Sequence, residues 1–188
     1  MRVLFITGSA RSGSITTQLC NIVASAMPDA TVTIIRPHEM RIEHCKGCGS
    51  CTSSGKCAIC DDMQMIYDAV ENNDIIILAT PIYFSGPSSI LKQTVDRFQS
   101  VWVRNKENKK DKIASLIAAG GQPSPVFSNT ISIAKAFAVT VRAEWIDGIT
   151  VRDTDGMNVI PENIVKEAQD LGSRISGMYI KKVQRQIP

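Results

Sequence analysis

Five of the chain's six cysteines, Cys45, Cys48, Cys51, Cys57 and Cys60, fall within sixteen residues. Such clustering in a reducing compartment argues for metal or redox chemistry more than for disulfides. The spacing is Cys45-x2-Cys48-x2-Cys51-x5-Cys57, with Gly47, Gly49 and Gly55 interleaved. Three thiolates at intervals of three, on a loop that glycines allow to bend, can wrap one iron–sulfur cubane, and the fourth needs only a short return. In bacterial ferredoxins the fourth cysteine follows sooner, precedes a proline and serves another cluster. The longer gap and Ala58 in the proline's place point to a self-contained site. The same residues admit zinc with help from His44 or Cys60, regulatory disulfides, or a loop that keeps its thiols and holds nothing. Cys60 has no partner in the four-thiol scheme. Cys20 is expected in the core, and His38 and His44 on the surface.

A second constellation follows the first apolar run. Gly8-Ser9-Ala10-Arg11-Ser12-Gly13-Ser14-Ile15-Thr16-Thr17 opens directly onto a segment with helical spacing. Small residues let backbone N–H groups and hydroxyls converge on an anion at a positive helix terminus, and the Arg11 fork suits phosphate. Ser14 stands where a Walker A loop needs lysine, and Ala10 stands where a dinucleotide fingerprint needs its second glycine. What remains is a hydroxyl-rich cradle for a terminal monophosphate. Further on, Pro81-Ile82-Tyr83-Phe84-Ser85-Gly86 offers an aromatic pair and free backbone N–H groups to a planar ring, and Gly120-Gly121 allows close backbone approach.

These segments need a scaffold that brings them together. Apolar, β-branched runs at 3–7, 32–35, 75–80, 113–119 and, more weakly, 145–151 predict five strands. Helical spacing at 16–27, 62–70, 88–101, 128–142 and 161–182 predicts five helices between and after them. Continuously apolar strands alternating with helices indicate an α/β fold, a three-layer, doubly wound, five-stranded parallel sheet of flavodoxin-like order 2-1-3-4-5. In such sheets ligands bind beyond the carboxyl ends of the strands, where the winding reverses. No linker divides residues 1–188, which read as one domain carrying a cysteine-rich loop at 45–60.

Composition narrows the function classes. Twenty-one Lys and Arg against eighteen Asp and Glu leave a net charge of +3, and 44% of residues are hydrophobic. That apolar fraction is incompatible with disorder, and no apolar run approaches the roughly 18 residues of a membrane span. The first residues are too short an apolar stretch for a signal peptide, so a cytoplasmic protein is expected. Residues 104–112 carry five basic and two acidic side chains, which could attract an acidic partner or simply solvate a connection. An extended basic face with aromatics is missing, which argues against nucleic acid.

Gly8-Ser9-Ala10-Arg11, Pro81 through Gly86 and Leu91-Lys92-Gln93-Thr94-Val95-Asp96-Arg97 together resemble the NAD(P)H-dependent FMN reductases of the flavodoxin-like class. The four-cysteine spacing resembles that of the iron–sulfur flavoprotein branch. The resemblance implies an oxidoreductase that takes hydride from NAD(P)H onto FMN and passes electrons to a small-molecule or protein acceptor. It also implies that Ser9, Arg11, Ser14, Ile15 and Thr16 surround the FMN phosphate, although relatives often carry Asn where Ile15 stands. Pro81, Ile82, Tyr83, Phe84, Ser85 and Gly86 would border the isoalloxazine, with Gly120 and Gly121 on its other side. Cys45, Cys48, Cys51 and Cys57 would ligate a [4Fe–4S] cluster, and a homodimer or homotetramer is implied. No acid–base side chain is needed for hydride transfer, so no catalytic residue is assigned. Competing classes are a non-enzymatic flavodoxin-type carrier, against which a pI near 8.5 weighs mildly, and a thiol-based metal or redox sensor.

Overall fold

The computed structural model describes residues 1–105 and 111–185, so most of the basic stretch lies outside the described residues. Among the described residues the strands and α-helices follow in the order β1 (Arg2–Thr7), α1 (Ile15–Ser25), β2 (Thr31–Ile35), α2 (Ser50–Ser54), α3 (Met63–Asn72), β3 (Ile75–Tyr83), β4 (Gly86–Pro87), α4 (Ser89–Asp96), α5 (Gln99–Arg104), β5 (Lys112–Ala119), α6 (Ser128–Thr140), β6 (Ala143–Trp145), β7 (Ile149–Val151) and α7 (Glu162–Gln184). The sheet runs β2-β1-β3-β5-β6, all parallel, with β7 also paired to β5 and β4 turned back antiparallel on β3. With the two-residue β4 set aside, and β6 with β7 taken as one interrupted strand, this is the flavodoxin-like order expected.

The central strands are buried on both faces, and their side chains alternate between two cores. Val3, Phe5, Ile75, Ile77, Ile113 and Ile117 face Leu19 and Val23 of α1 and Leu171 and Ile175 of α7. Leu4, Ile6, Ile76, Leu78 and Leu116 face Met63 and Ile66 of α3, Leu91 of α4, and Phe137 of α6. Each fully buried aliphatic side chain contributes roughly 1.5–3 kcal/mol, and strand and helix periodicities must both be met for either layer to close. Cys20 lies in the first of these cores, where burial pushes its thiol up to about 12.

Two predicted elements divide. The fifth strand splits because Gly148 passes so close to β5 that a Cβ there would lie 1.7 Å from the Leu116 carbonyl oxygen. The helix predicted over 88–101 breaks between α4 and α5. At that break Phe98 drops into the core, edge-on to both Tyr67 and Phe137 at 5.2 and 4.9 Å. Arg97 turns the other way, and its side chain is only 1% exposed.

Arg97 ties the cysteine loop to the body of the fold. Its guanidinium donates to both carboxylate oxygens of Asp61, at 2.6 and 3.0 Å, to the Glu43 carbonyl at 2.7 Å and to the Ile59 carbonyl at 3.5 Å. Asp61 also accepts from the backbone N–H groups of Glu43 and Met63, and Asp62 accepts from that of Arg41. Gln93 of α4 donates to the Ile42 carbonyl. Residues on both sides of the loop are thereby held at one closed base, from which 45–57 projects. Burial alone would raise the Asp61 pKa, but the hydrogen bonds from Arg97, Glu43 and Met63 outweigh it and hold the carboxyl below its usual range.

Lys112, counted in the basic stretch, is withdrawn from solvent. Its ammonium donates to the Glu71 and Asn73 carbonyls at 2.7 and 3.1 Å, closing the carboxyl end of α3.

Gly148→Ala should destabilise the protein by about 3 kcal/mol or more, because the new methyl meets backbone that cannot retreat; urea unfolding measures this. The Asp61 contribution has a defined pH dependence. A carboxyl depressed by folding stabilises fully above its unfolded pKa of about 3.9, and this stabilisation disappears as pH falls through the lower folded value. Asp61→Asn should therefore lower stability at neutral pH and flatten its fall on acidification, read from urea midpoints between neutral pH and pH 2.

Candidate active site

At the carboxyl edge of the sheet a cleft of about 1050 Å³ opens between the loops after β1, β3, β5 and β7. It is lined by 10–16 from the first loop, by 81–85 from the second, by Ala119, Gly121, Gln122 and 124–126 from the third, and by 154–158 from the last. Arg11, Ser14, Ile15, Thr16, Pro81, Ile82, Tyr83, Phe84, Ser85 and Gly121 all reach this space. Ser9, Gly86 and Gly120 support it from behind. Ser9 is buried, Gly86 pairs with Tyr83 in the β3–β4 hairpin, and Gly120 lies against Pro125.

The first loop is built on hydroxyls. Ser14 is the N-cap of α1, accepting from the Thr17 N–H at 3.2 Å, and its Oγ also accepts from Ser9 Oγ at 2.8 Å. Thr17 Oγ1 lies 3.0 Å from the same oxygen and donates to the Arg11 carbonyl at 3.3 Å. Ser9 and Thr17 thus brace the cap, while Arg11, Ser12 and Gly13 stand exposed around the helix terminus. The remaining first-turn N–H groups of such a helix have no intrahelical acceptor, and together with the macrodipole they favour an anion there. The donor set fits the phosphate of FMN. Thr17, the last residue of the hydroxyl run, belongs to this network although the resemblance does not place it at the phosphate.

On the opposite side of the cleft, the β3–β4 hairpin turns through Phe84 and Ser85, both at positive φ, 48° and 61°. Both central residues of a type I′ hairpin turn adopt this region, which costs a non-glycine residue roughly 1–2 kcal/mol. The turn leaves Phe84 fully exposed and Tyr83 half-exposed at the cleft mouth. Asn129 of α6 donates to the Ser85 carbonyl at 3.0 Å, fixing the tip. A strained, exposed aromatic tip bordering a cleft is suited to lie along a planar ring.

The fourth wall was missed by sequence reasoning. Asp153, Thr154 and Asp155 donate backbone N–H groups to the carbonyls of Gln122, Gly120 and Gly121 at 2.9, 3.2 and 3.1 Å. The Asp155 carboxylate lies so close to Gly121 that any side chain there would collide with it. Position after the last strand of a doubly wound sheet was the available signal, since that rule assigns every such loop to the ligand edge.

The cysteine loop forms a second, smaller cavity of about 460 Å³. Cys45, Cys48, Cys51 and Cys57 line it together with Asp96, Arg97, Gln99 and Ser100. Cys60 lies outside it, in a neighbouring groove. All six cysteines are free, and among the described residues no three His, Cys, Asp or Glu side chains are gathered into a metal-ligating group. The segment expected to be a loop throughout contains α2, bounded by Gly49 and Gly55 in left-handed conformation. Cys48 Sγ is 3.5 Å from Ser50 Oγ, and hydrogen bonding from the Ser50 hydroxyl, then from its N–H, holds the exposed thiol below its usual range. Four cysteines lining one cavity supply the donor type that an iron–sulfur cluster takes. The cleft and this cavity share no lining residue. The cavity borders the end of α4, whose eight residues span about 12 Å, and the cleft borders the loop that precedes it.

The chain is similar to several known proteins. An iron-sulfur flavoprotein of Archaeoglobus fulgidus is 26% identical over 189 residues, covering 97% of this chain and 82% of that protein. One of Methanosarcina thermophila is 34% identical over 129 residues, 64% of either chain. Among solved structures, a flavone reductase superposes with a TM-score of 0.73 at 21% identity, covering 94% of this chain, which spans 62% of that longer one. An NADH:FMN oxidoreductase in its apo form gives 0.68 at 16% identity, covering 94% and 89%. At these identities the structural likenesses establish the flavodoxin-like fold. Among the described residues no helix is long and apolar enough to cross a membrane. The pattern described as NADPH-dependent FMN reductase matches residues 1–151; the chain belongs to that family of oxidoreductases.

Proposed function

We propose that this protein binds FMN in the cleft at the sheet edge, takes a hydride from NADPH or NADH, and passes electrons to a small-molecule or protein acceptor by way of a [4Fe–4S] cluster on Cys45, Cys48, Cys51 and Cys57. The observation that carries this reading is the convergence, in one cleft, of a capped helix terminus with Arg11 and an aromatic hairpin tip. FMN, when bound, supplies the exchange between two-electron hydride chemistry and one-electron transfer. The chain's part is positional. Arg11 and the first turn of α1 hold the phosphate, with Ser14 kept in place by Ser9 and Thr17. Ile15 and Thr16 shape the floor, and Ile15 adds no polar contact. Pro81, Ile82, Tyr83, Phe84 and Ser85 border the ring on one side and Gly121 on the other, backed by Gly86 and Gly120.

Tyr83, Phe84, Val126 and Val159 are exposed apolar side chains beside or at this cleft. In our reading a second copy of the chain closes over them in a homodimer or homotetramer. The names of the curated relatives support the cluster, as does the donor set of the smaller cavity. Six free thiols suit a reducing compartment, and we take the cytoplasm as the site of action.

Two measurements test this. Anaerobic titration should show FMN binding, weakened roughly tenfold by Arg11→Ala through loss of one charge-assisted contact, and bleaching of bound flavin by NADPH or NADH. A protein that fails to bind added FMN refutes the assignment, and bound flavin that neither nucleotide bleaches identifies a carrier instead. After reconstitution with iron and sulfide, the broad visible absorption of a thiolate-ligated cluster should appear and be lost in Cys48→Ser, with FMN binding retained.

A further inference from the structure

One wall of the cysteine cavity is a charged side chain that is almost wholly buried. Arg97 is 1% exposed, its two terminal nitrogens are fully engaged by Asp61, Glu43 and Ile59, and its Nε–H is buried with no partner among the described residues. Arg97 also lines the cavity of the four cysteines, and a thiolate at Cys57 would stabilise its charge further. A buried cation beside thiols that must ionise to hold a cluster favours their anionic forms.

We infer that Arg97 is the positioning residue of the cysteine site. Its terminal nitrogens close the base of the loop, and its charge acts on the sulfurs, raising the reduction potential of the cluster they hold. The inference rests on the cluster reading above and goes beyond it by assigning control of the potential to a residue that is not a ligand. Reduction adds one electron to an already anionic thiolate-ligated cluster. A buried cation stabilises that more negative state more than the oxidised one, and net charge is among the factors that set such potentials. Asp61 moderates the cation, so the effect on the sulfurs is that of a polarised pair whose positive end lines the cavity.

The test compares the full chain, reconstituted anaerobically with iron and sulfide, with Arg97→Gln and with the double variant Asp61→Asn, Arg97→Gln. The double variant leaves no unpaired buried carboxylate and carries the measurement if the single one does not fold. Each is titrated with dithionite, which supplies the electron, while electron paramagnetic resonance reports the reduced cluster. Both variants should show at least a tenfold lower ratio of reduced to oxidised cluster at a fixed potential, a shift of about 59 mV to more negative values for a one-electron couple. A residue that only holds the loop would lower the iron content per chain without moving the potential of the clusters that form. Loaded variants that titrate at the wild-type potential therefore overturn the role of Arg97 while leaving the cluster reading intact. Wild-type protein that binds FMN yet takes up no iron and sulfide overturns the cluster reading, and the role of Arg97 with it.

Discussion

The structure depends on the double-sided burial of β1, β3 and β5. A strand apolar on both faces is stable only when helices cover both, and a parallel neighbour can be reached only by a crossover that supplies one. Val3 through Ile6 and Ile75 through Leu78 are each almost wholly buried, with successive side chains sent to opposite cores. Once those residues are inside, α1 and α7 must lie on one face and α3, α4 and α6 on the other. Polar backbone can then emerge only at the strand ends. The cleft is the result at the carboxyl ends, where four loops leave β1, β3, β5 and β7 side by side.

The cysteine loop obeys a different constraint. It has almost no apolar surface to bury, and the side chains of 43–48 are exposed. Its position is set instead by polar contacts at its base, where one guanidinium and two carboxylates gather 41–43, 59–62 and the end of α4. A buried ion pair repays its desolvation only when its remaining lone pairs and protons are also used. Here both Asp61 oxygens and both terminal nitrogens of Arg97 are satisfied, and only the Arg97 Nε–H is without an acceptor among the described residues. This loop is therefore anchored geometrically and left open at its thiols.

Strand and helix positions were legible because an apolar run of four to eight residues and a helical stripe of a dozen each leave a distinct period. The hydroxyl loop was legible because Ser14 before an apolar helix is both a cap and a signpost. Three things were not. The close passage of Gly148 over Leu116 is a tertiary contact between distant residues, and no local pattern in 145–151 announces it. The break in 88–101 follows from Phe98 and Arg97 being claimed by opposite surroundings, a conflict that the helical stripe of Ile90, Leu91, Val95 and Phe98 conceals. The Asp155 wall lay in the last third of the chain, which carries no motif. Topology, rather than residue type, brings it to the cleft.

The interruption of the last strand also makes the two margins of the sheet unequal. On one side β6 and β7 are three residues each, offset by the bend at Gly148, and too short to template an added strand. On the other, Thr31–Ile35 is an unbroken, β-branched margin whose first three residues are solvent-exposed. Unsatisfied N–H and C=O groups along such a margin invite pairing between molecules.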